Sequence, residues 1–281
     1  MKLTVSQIKG RVKNLAIKNN IDPRILLRIY MMERFLERIS VSKYKDNFIL
    51  KGGMLLTSIV GNSFRTTMDI DTSINGFKLD EQTASRIIEE IASISLDDEI
   101  TFKLNRIEEI MSDMDYPGIR IHIDSIIEKM ITPILIDISI EDSFTMGYEE
   151  YRYKLMLEDR TIQLYSYKLE KILAEKLQTI MIREVLNTRM RDYYDIYIIM
   201  LLFESSINGS LIKEAYITTC KNRHSEFLIG DEGRIIGLLE KDDNLFRLWN
   251  GYKEKFQYAS NITYNQTIGS IKKLVEIIDN N

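Results

Sequence analysis

The stretch from Phe48 to Ile74 restricts the possible folds of this chain more than any other part of it. A short apolar run, Phe48-Ile49-Leu50, leads into Lys51 and the pair Gly52-Gly53. An apolar segment follows, and the stretch closes on Met68-Asp69-Ile70-Asp71-Thr72-Ser73-Ile74. This order reads as strand, glycine turn, short helix, loop and strand. Side chains alternate along a strand, so Asp69 and Asp71 share one face, and Met68, Ile70, Thr72 and Ile74 share the other. Two carboxylates on one face repel unless a positive charge lies between them, and a divalent cation is the usual solution. Glycines also let backbone amides approach a phosphate. The stretch therefore points to phosphate and metal chemistry on an α/β framework.

A third carboxylate from a neighbouring strand would complete such a site. Asp137 in Ile134-Leu135-Ile136-Asp137-Ile138-Ser139-Ile140 is the best candidate, because a charge inside an apolar run is costly without a partner. A competing reading begins at Asp71, since Asp71-x-Ser73-x-Asn75-Gly76 starts like a calcium-binding EF-hand loop. Its twelfth position is Gln82, which cannot supply the bidentate carboxylate, and its upstream flank reads as strand.

Around this stretch the hydrophobic periodicity places helices over about 4–20 and, after the cap-like Asp22-Pro23, through Ile39. Another helix is expected over 80–95, and strands over 101–107, 118–127 and 133–140. In the second of these, Ile119, Ile121 and Ile123 alternate with Arg120, His122 and Asp124. Residues 149–167 are mixed, with a strand near 160–165. From Lys168 onward the pattern is helical, over about 168–187, 189–204, 210–222, 232–254 and 265–279. The expected organisation is α+β, with N-terminal helices and a mixed core in residues 1–165 and a helical region in 166–281 that completes the site.

The helical part holds the second informative stretch, from Tyr167 to Met200. Leu169, Ile172, Leu173, Leu177 and Ile180 form its inward stripe, while Lys168, Lys171, Glu175 and Lys176 lie elsewhere on the helix. Further on, Arg189, Arg191, Asp192 and Asp195 cluster, and the interval between the aspartates makes them helix neighbours. Such charged faces are usually solvated. Beside a metal site, a lysine and an arginine–aspartate group could also bind nucleotide phosphates.

Composition narrows the chemistry further. The single cysteine, Cys220, excludes an internal disulfide framework, and two histidines, His122 and His224, argue against a histidine-rich zinc centre. A metal here is expected to be oxygen-ligated. The net charge of −4 gives no global signal for nucleic acid. No apolar run reaches the length of a membrane span, and the N-terminus lacks an apolar signal core, so a cytoplasmic location is expected.

The succession FILKGGMLL, RTTMDIDTSI, ILIDISI, LEKILAEKLQTI and RMRDYYDIYII resembles the AbiEii family of nucleotidyltransferase-like abortive-infection toxins, partners of AbiEi antitoxins. The resemblance spans roughly residues 45–200. It implies a polymerase β-like nucleotidyltransferase core in which Gly52 and Gly53 shape the turn facing a triphosphate, and Asp69 and Asp71 bind magnesium. Asp137 resembles the third strand carboxylate, Lys176 the helical lysine that stabilises phosphate charge, and Asp192 and Asp195 the downstream pair; no separate role is assigned to Lys171. Many nucleotidyltransferases carry Gly-Ser where this chain has Gly52-Gly53, so that hydroxyl contact is missing. Thr67 stands where relatives often have serine, and its hydroxyl is the expected substitute. The implied activity is magnesium-dependent transfer of a nucleoside monophosphate from an NTP to RNA, such as a tRNA 3′ end. A noncatalytic NTP- or RNA-binding toxin and transfer onto a protein acceptor are the alternatives.

Overall fold

The computed structural model describes residues 3–61, 65–76, 80–110, 118–140 and 147–281. They form two compact units, Met1–Tyr167 and Lys168–Asn281. The first is built on one mixed sheet of seven strands, which in order of their pairing are residues 100–110, 118–127, 130–140, 69–74, 48–51, 161–167 and 148–154. Its elements are α1 (Val5–Asn19), α2 (Pro23–Val41), β1 (Phe48–Lys51), α3 (Gly52–Val60), β2 (Asp69–Ile74), α4 (Glu81–Ala92), β3 (Ile100–Ile110), β4 (Gly118–Ile127), β5 (Met130–Ile140), β6 (Tyr148–Lys154) and β7 (Thr161–Tyr167). The second unit holds α5 (Leu169–Arg183), α6 (Met190–Phe203), α7 (Gly209–Asn222), α8 (Glu232–Leu239), α9 (Asp243–Lys255) and α10 (Tyr264–Asp279). The protein is thus α+β with a helical C-terminal region.

The N-terminal helices start where their caps dictate. Thr4 and Gln7 form a reciprocal capping box at α1, and Asp22 accepts the Arg24 amide at α2, with Pro23 in the first turn. Helix α2 packs on β5 and β7. The alternation along β4 and β5 places Ile119, Ile121, Ile123, Ile134, Ile136 and Ile138 in the core. Each such burial stabilises the fold by roughly 1.5–3 kcal/mol relative to exposure. The intervening residues Arg120, His122, Leu135, Asp137 and Ser139 belong to the opposite, half-exposed face. Apolar packing on one face therefore fixes the register that aligns polar residues on the other.

Two buried ionisable side chains tie α2 to the rest of this unit. Arg38 donates to both oxygens of Asp98 at 2.8 and 2.9 Å and to the carbonyls of Ile94 and Ile100, so its guanidinium is well satisfied. Glu33 is less well placed. It accepts the Met156 amide at 2.9 Å, yet burial pushes its carboxyl up to about 8, against the opposing pull of Arg34. Because the folded state then holds a proton that the unfolded state releases above about 4.5, stability falls as pH rises from about 4.5 to 8. Urea denaturation at pH 5 and pH 8 is expected to show wild type losing more stability than Glu33→Gln, by on the order of a few kcal/mol. Equal losses in the two proteins would contradict this assignment.

Three local expectations are corrected. The continuous helix over 232–254 is two helices, α8 and α9, because the Asp242 side chain accepts the Leu245 amide at 2.8 Å and starts α9 afresh. Strand β6 was not legible as a strand: it is an edge strand whose residues are mostly exposed and charged, so it carries little apolar alternation. Met68 does not join the inward face of β2. It precedes the strand, is 40% exposed, and accepts a weak hydrogen bond from Arg28 Nη1.

The helical unit has its own core. Trp249 is fully buried and donates from its indole nitrogen to the Ile262 carbonyl at 2.9 Å. Among the described residues no helix is long and apolar enough to cross a membrane.

Candidate active site

The sheet register assembles the first unit's site. β2 pairs parallel with β5 and antiparallel with β1, and β5 pairs antiparallel with β4. Asp71 therefore lies opposite Asp137 on one side and Lys51 on the other, while Asp137 lies opposite Arg120. A row Arg120, Asp137, Asp71, Lys51 crosses four adjacent strands, with cations at its ends and carboxylates in its middle. Asp69, two residues before Asp71 on the same strand face, adds a third carboxylate. Asp69, Asp71 and Asp137 each offer an oxygen such that all three lie within 4.8 Å of one another.

Each carboxylate is held by a different device. Thr67 donates its hydroxyl to Asp69 Oδ1 at 2.8 Å. The Gly53 amide donates to Asp71 Oδ2 at 3.1 Å. Arg120 grips Asp137 with both ends of its fork, Nε to Oδ1 at 2.8 Å and Nη2 to Oδ2 at 2.7 Å. Those bonds raise the Arg120 pKa further above its ordinary range.

The glycine pair is required by the crowding at this point. Gly52 has φ +58°, and a Cβ there would lie 2.0 Å from Asp71 Oδ2. At Gly53 a Cβ would lie 2.0 Å from Thr67 Oγ1 and 2.9 Å from Arg65 Nη1, while Arg65 donates to the Gly53 carbonyl at 3.0 Å. A side chain at position 53 would thus collide with the Thr67 hydroxyl. The two positions compete for one space, which accounts for a glycine where a serine was the alternative.

Electrostatics at the centre are only partly relieved. Loss of solvent pushes the Asp71 carboxyl above its usual range, and the Asp69 carboxylate adds to that shift; the Gly53 amide and Lys51 pull it back in part. Such a group gains from a cation. Oxygens bound to one Mg²⁺ at about 2.1 Å lie no more than about 4.2 Å apart, and three carboxylate oxygens within 4.8 Å of one another suit a hard cation. The residues fit an oxygen-ligated divalent ion.

Lys51 belongs to a polar network beneath the carboxylates. Its ammonium donates to Ser139 Oγ at 2.7 Å and stands 5.4 Å from the centre of the Tyr167 ring. Ser73 Oγ is 3.2 Å from Ser139 Oγ and 3.0 Å from the Tyr167 hydroxyl. The sequence reading assigned no role to Arg120, Lys51 or Arg65. For Lys51 the available signal was its place directly before the glycines; for Arg120 there was none beyond its alternation on β4, because strand register is not written locally.

In the helical unit, Lys176 on α5 meets Asp192 and Asp195 on α6. Its ammonium is 2.8 Å from Asp192 Oδ1 and 2.7 Å from Asp195 Oδ2. Asp195 is fully buried, and Arg189 Nε lies 3.1 Å from Asp192 Oδ2. The three residues named from the sequence therefore form one cluster, with the lysine fixed between two carboxylates. Lys171 lies outside it, 3.7 Å from Glu175.

Three solved structures are similar to this chain. A candidate nucleotidyltransferase from Helicobacter pylori is 16% identical, with 92% of this chain and 97% of that one aligned at a TM-score of 0.49. JHP933 from Helicobacter pylori is also 16% identical, over 92% of this chain and 95% of its own, at 0.47. An antigenic nucleotidyltransferase-like protein from Paracoccidioides brasiliensis is 14% identical, over 87% and 99%, at 0.35. No curated protein matches the chain. A model of the nucleotidyl transferase AbiEii toxin family, type IV toxin–antitoxin system, matches residues 34–268, a span that takes in the three strand aspartates, the glycine pair and the lysine–aspartate cluster. The chain belongs to the AbiEii family of nucleotidyltransferase toxins.

Proposed function

We propose that this nucleotidyltransferase moves a nucleoside monophosphate from an NTP to RNA, with a tRNA 3′ end as acceptor, in a reaction that depends on Mg²⁺. The observation that carries the metal reading is the convergence of Asp69, Asp71 and Asp137 within 4.8 Å. When bound, Mg²⁺ supplies charge neutralisation for the triphosphate and lowers the pKa of the attacking hydroxyl. The chain's own part is positioning. Asp69 and Asp71 would hold the ions, with Thr67 and the Gly53 amide fixing their carboxylates. Asp137 would be the third ligand on the neighbouring strand. Gly52 and Gly53 let the backbone approach the triphosphate without a side chain intervening. By the family resemblance, Lys176 of the helical unit, held by Asp192 and Asp195, would neutralise phosphate charge. An acceptor hydroxyl then attacks the α-phosphorus in line, the new P–O bond forms as the bond to pyrophosphate breaks, and pyrophosphate leaves.

The same reading makes the protein a cytoplasmic effector of abortive phage infection, countered by an AbiEi-type antitoxin. It is tested by incubating the purified protein with α-labelled NTPs, Mg²⁺ and total cellular RNA or protein. Label on RNA in the tRNA size range is the expected outcome. Label on protein would overturn the RNA assignment, and no label on any acceptor, with toxicity undiminished in Asp69→Ala, would overturn the catalytic one.

A further inference from the structure

The pairing of Arg120 with Asp137 points to a role for the arginine beyond holding a side chain. Arg120 donates to both carboxylate oxygens of a candidate metal ligand. It is also close enough to Asp69 for that carboxylate to favour its charge. At the other end of the row, Lys51 offsets part of the charge at Asp71. Three carboxylates thus face two fixed cations. Such a cluster retains only part of the negative potential that three aspartates would otherwise present to an entering ion.

We infer that Arg120 is a positioning residue that acts as the resident counter-ion of Asp137, competing with the divalent cation for that carboxylate and holding the site's affinity for free metal low. This rests on the reading of the three aspartates as a divalent-ion site. In the absence of metal the guanidinium offsets part of the negative charge that Asp137 presents to Asp71. When an ion is held by Asp69 and Asp71, the positive charge of Arg120 opposes it at short range. Metal arriving with a triphosphate brings its own negative charge and is penalised less than metal arriving alone.

The sign of one measurement separates this role from simple support. If Arg120 merely orients Asp137 as a ligand, removing it weakens metal binding; if it competes with the ion, removing it strengthens binding. The full-length protein, free of nucleotide, is titrated with Mn²⁺ alone and binding is followed by electron paramagnetic resonance. Arg120→Gln is expected to bind Mn²⁺ about three- to tenfold more tightly than wild type, and Arg120→Lys, which keeps the charge, to stay within about twofold of it. Unchanged or weaker binding in Arg120→Gln overturns the inference, as does equal tightening in Arg120→Lys, because charge would then not be the cause. Asp71→Asn serves as the reference. Mn²⁺ binding that survives in Asp71→Asn overturns the metal site itself and this inference with it. Binding lost in Asp71→Asn and unaltered in Arg120→Gln overturns only the role of Arg120.

Discussion

Replacing Asp71 by asparagine is expected to lower nucleotidyl transfer by at least about a thousandfold while leaving the folded protein as stable as wild type or more so. Both halves follow from the same geometry. Asp71 lies between Asp69 and Asp137, and the loss of solvent together with Asp69 pushes its carboxyl above the usual range. Asparagine keeps an oxygen for the Gly53 amide, which donates to Asp71 at 3.1 Å, and removes the like-charge repulsion. It also removes an anionic ligand of the proposed metal site. Activity measured against labelled NTP, set beside urea denaturation of the metal-free protein, checks both parts. A variant that loses activity because it unfolds would contradict the assignment of Asp71 to a strained functional position.

The second large effect is expected at Gly53. Gly53→Ser restores the residue that many nucleotidyltransferases carry, yet here it should damage the protein. A Cβ at position 53 would lie 2.0 Å from Thr67 Oγ1 and 2.6 Å from Thr67 Cβ, both of which must move. Thr67 is fully buried and donates to Asp69 Oδ1 at 2.8 Å, so its displacement carries Asp69 with it. Gly53→Ser is expected to destabilise the fold by about 1–3 kcal/mol and to abolish most of the transfer activity. The double variant Gly53→Ser with Thr67→Gly removes both colliding atoms of Thr67 and moves the hydroxyl from one position to the other. It is expected to recover roughly half of the lost stability, since residues in contact do not act additively. Additive damage in the double variant would show that the two positions do not share one space.

These two residues also mark how far the sequence could be read. The glycine pair, the alternate aspartates on β2 and the interrupted apolar run on β5 were legible because strand periodicity is local and a charge in an apolar run is conspicuous. That Asp71 faces Asp137 depends on β2 pairing parallel with β5, a relation between segments far apart in sequence. The apolar pattern of β4 identified its inward isoleucines, but nothing local indicated that Arg120 would meet Asp137. Likewise the absence of serine at position 53 looked like a missing contact. Only the packing of Thr67 against Gly53 shows that the hydroxyl has no room there. In the helical unit, the spacing of Asp192 and Asp195 was readable, while their convergence on Lys176 required α5 and α6 to be placed side by side. Edge strand β6 and the break between α8 and α9 were hidden for simpler reasons, an exposed charged pattern in one and a single capping aspartate in the other.

The most direct test of the three-aspartate site is a single-turnover reaction with α-labelled NTP, Mg²⁺ and cellular RNA, in which acceptor labelling and pyrophosphate release are measured together. Equal amounts of labelled acceptor and pyrophosphate are expected from wild type, with both lost in Asp69→Ala and Asp71→Asn and both abolished when the divalent ion is chelated. Transfer that persists in folded Asp69→Ala and Asp71→Asn, or that continues without a divalent ion, would contradict the assignment of Asp69, Asp71 and Asp137 as the catalytic metal site.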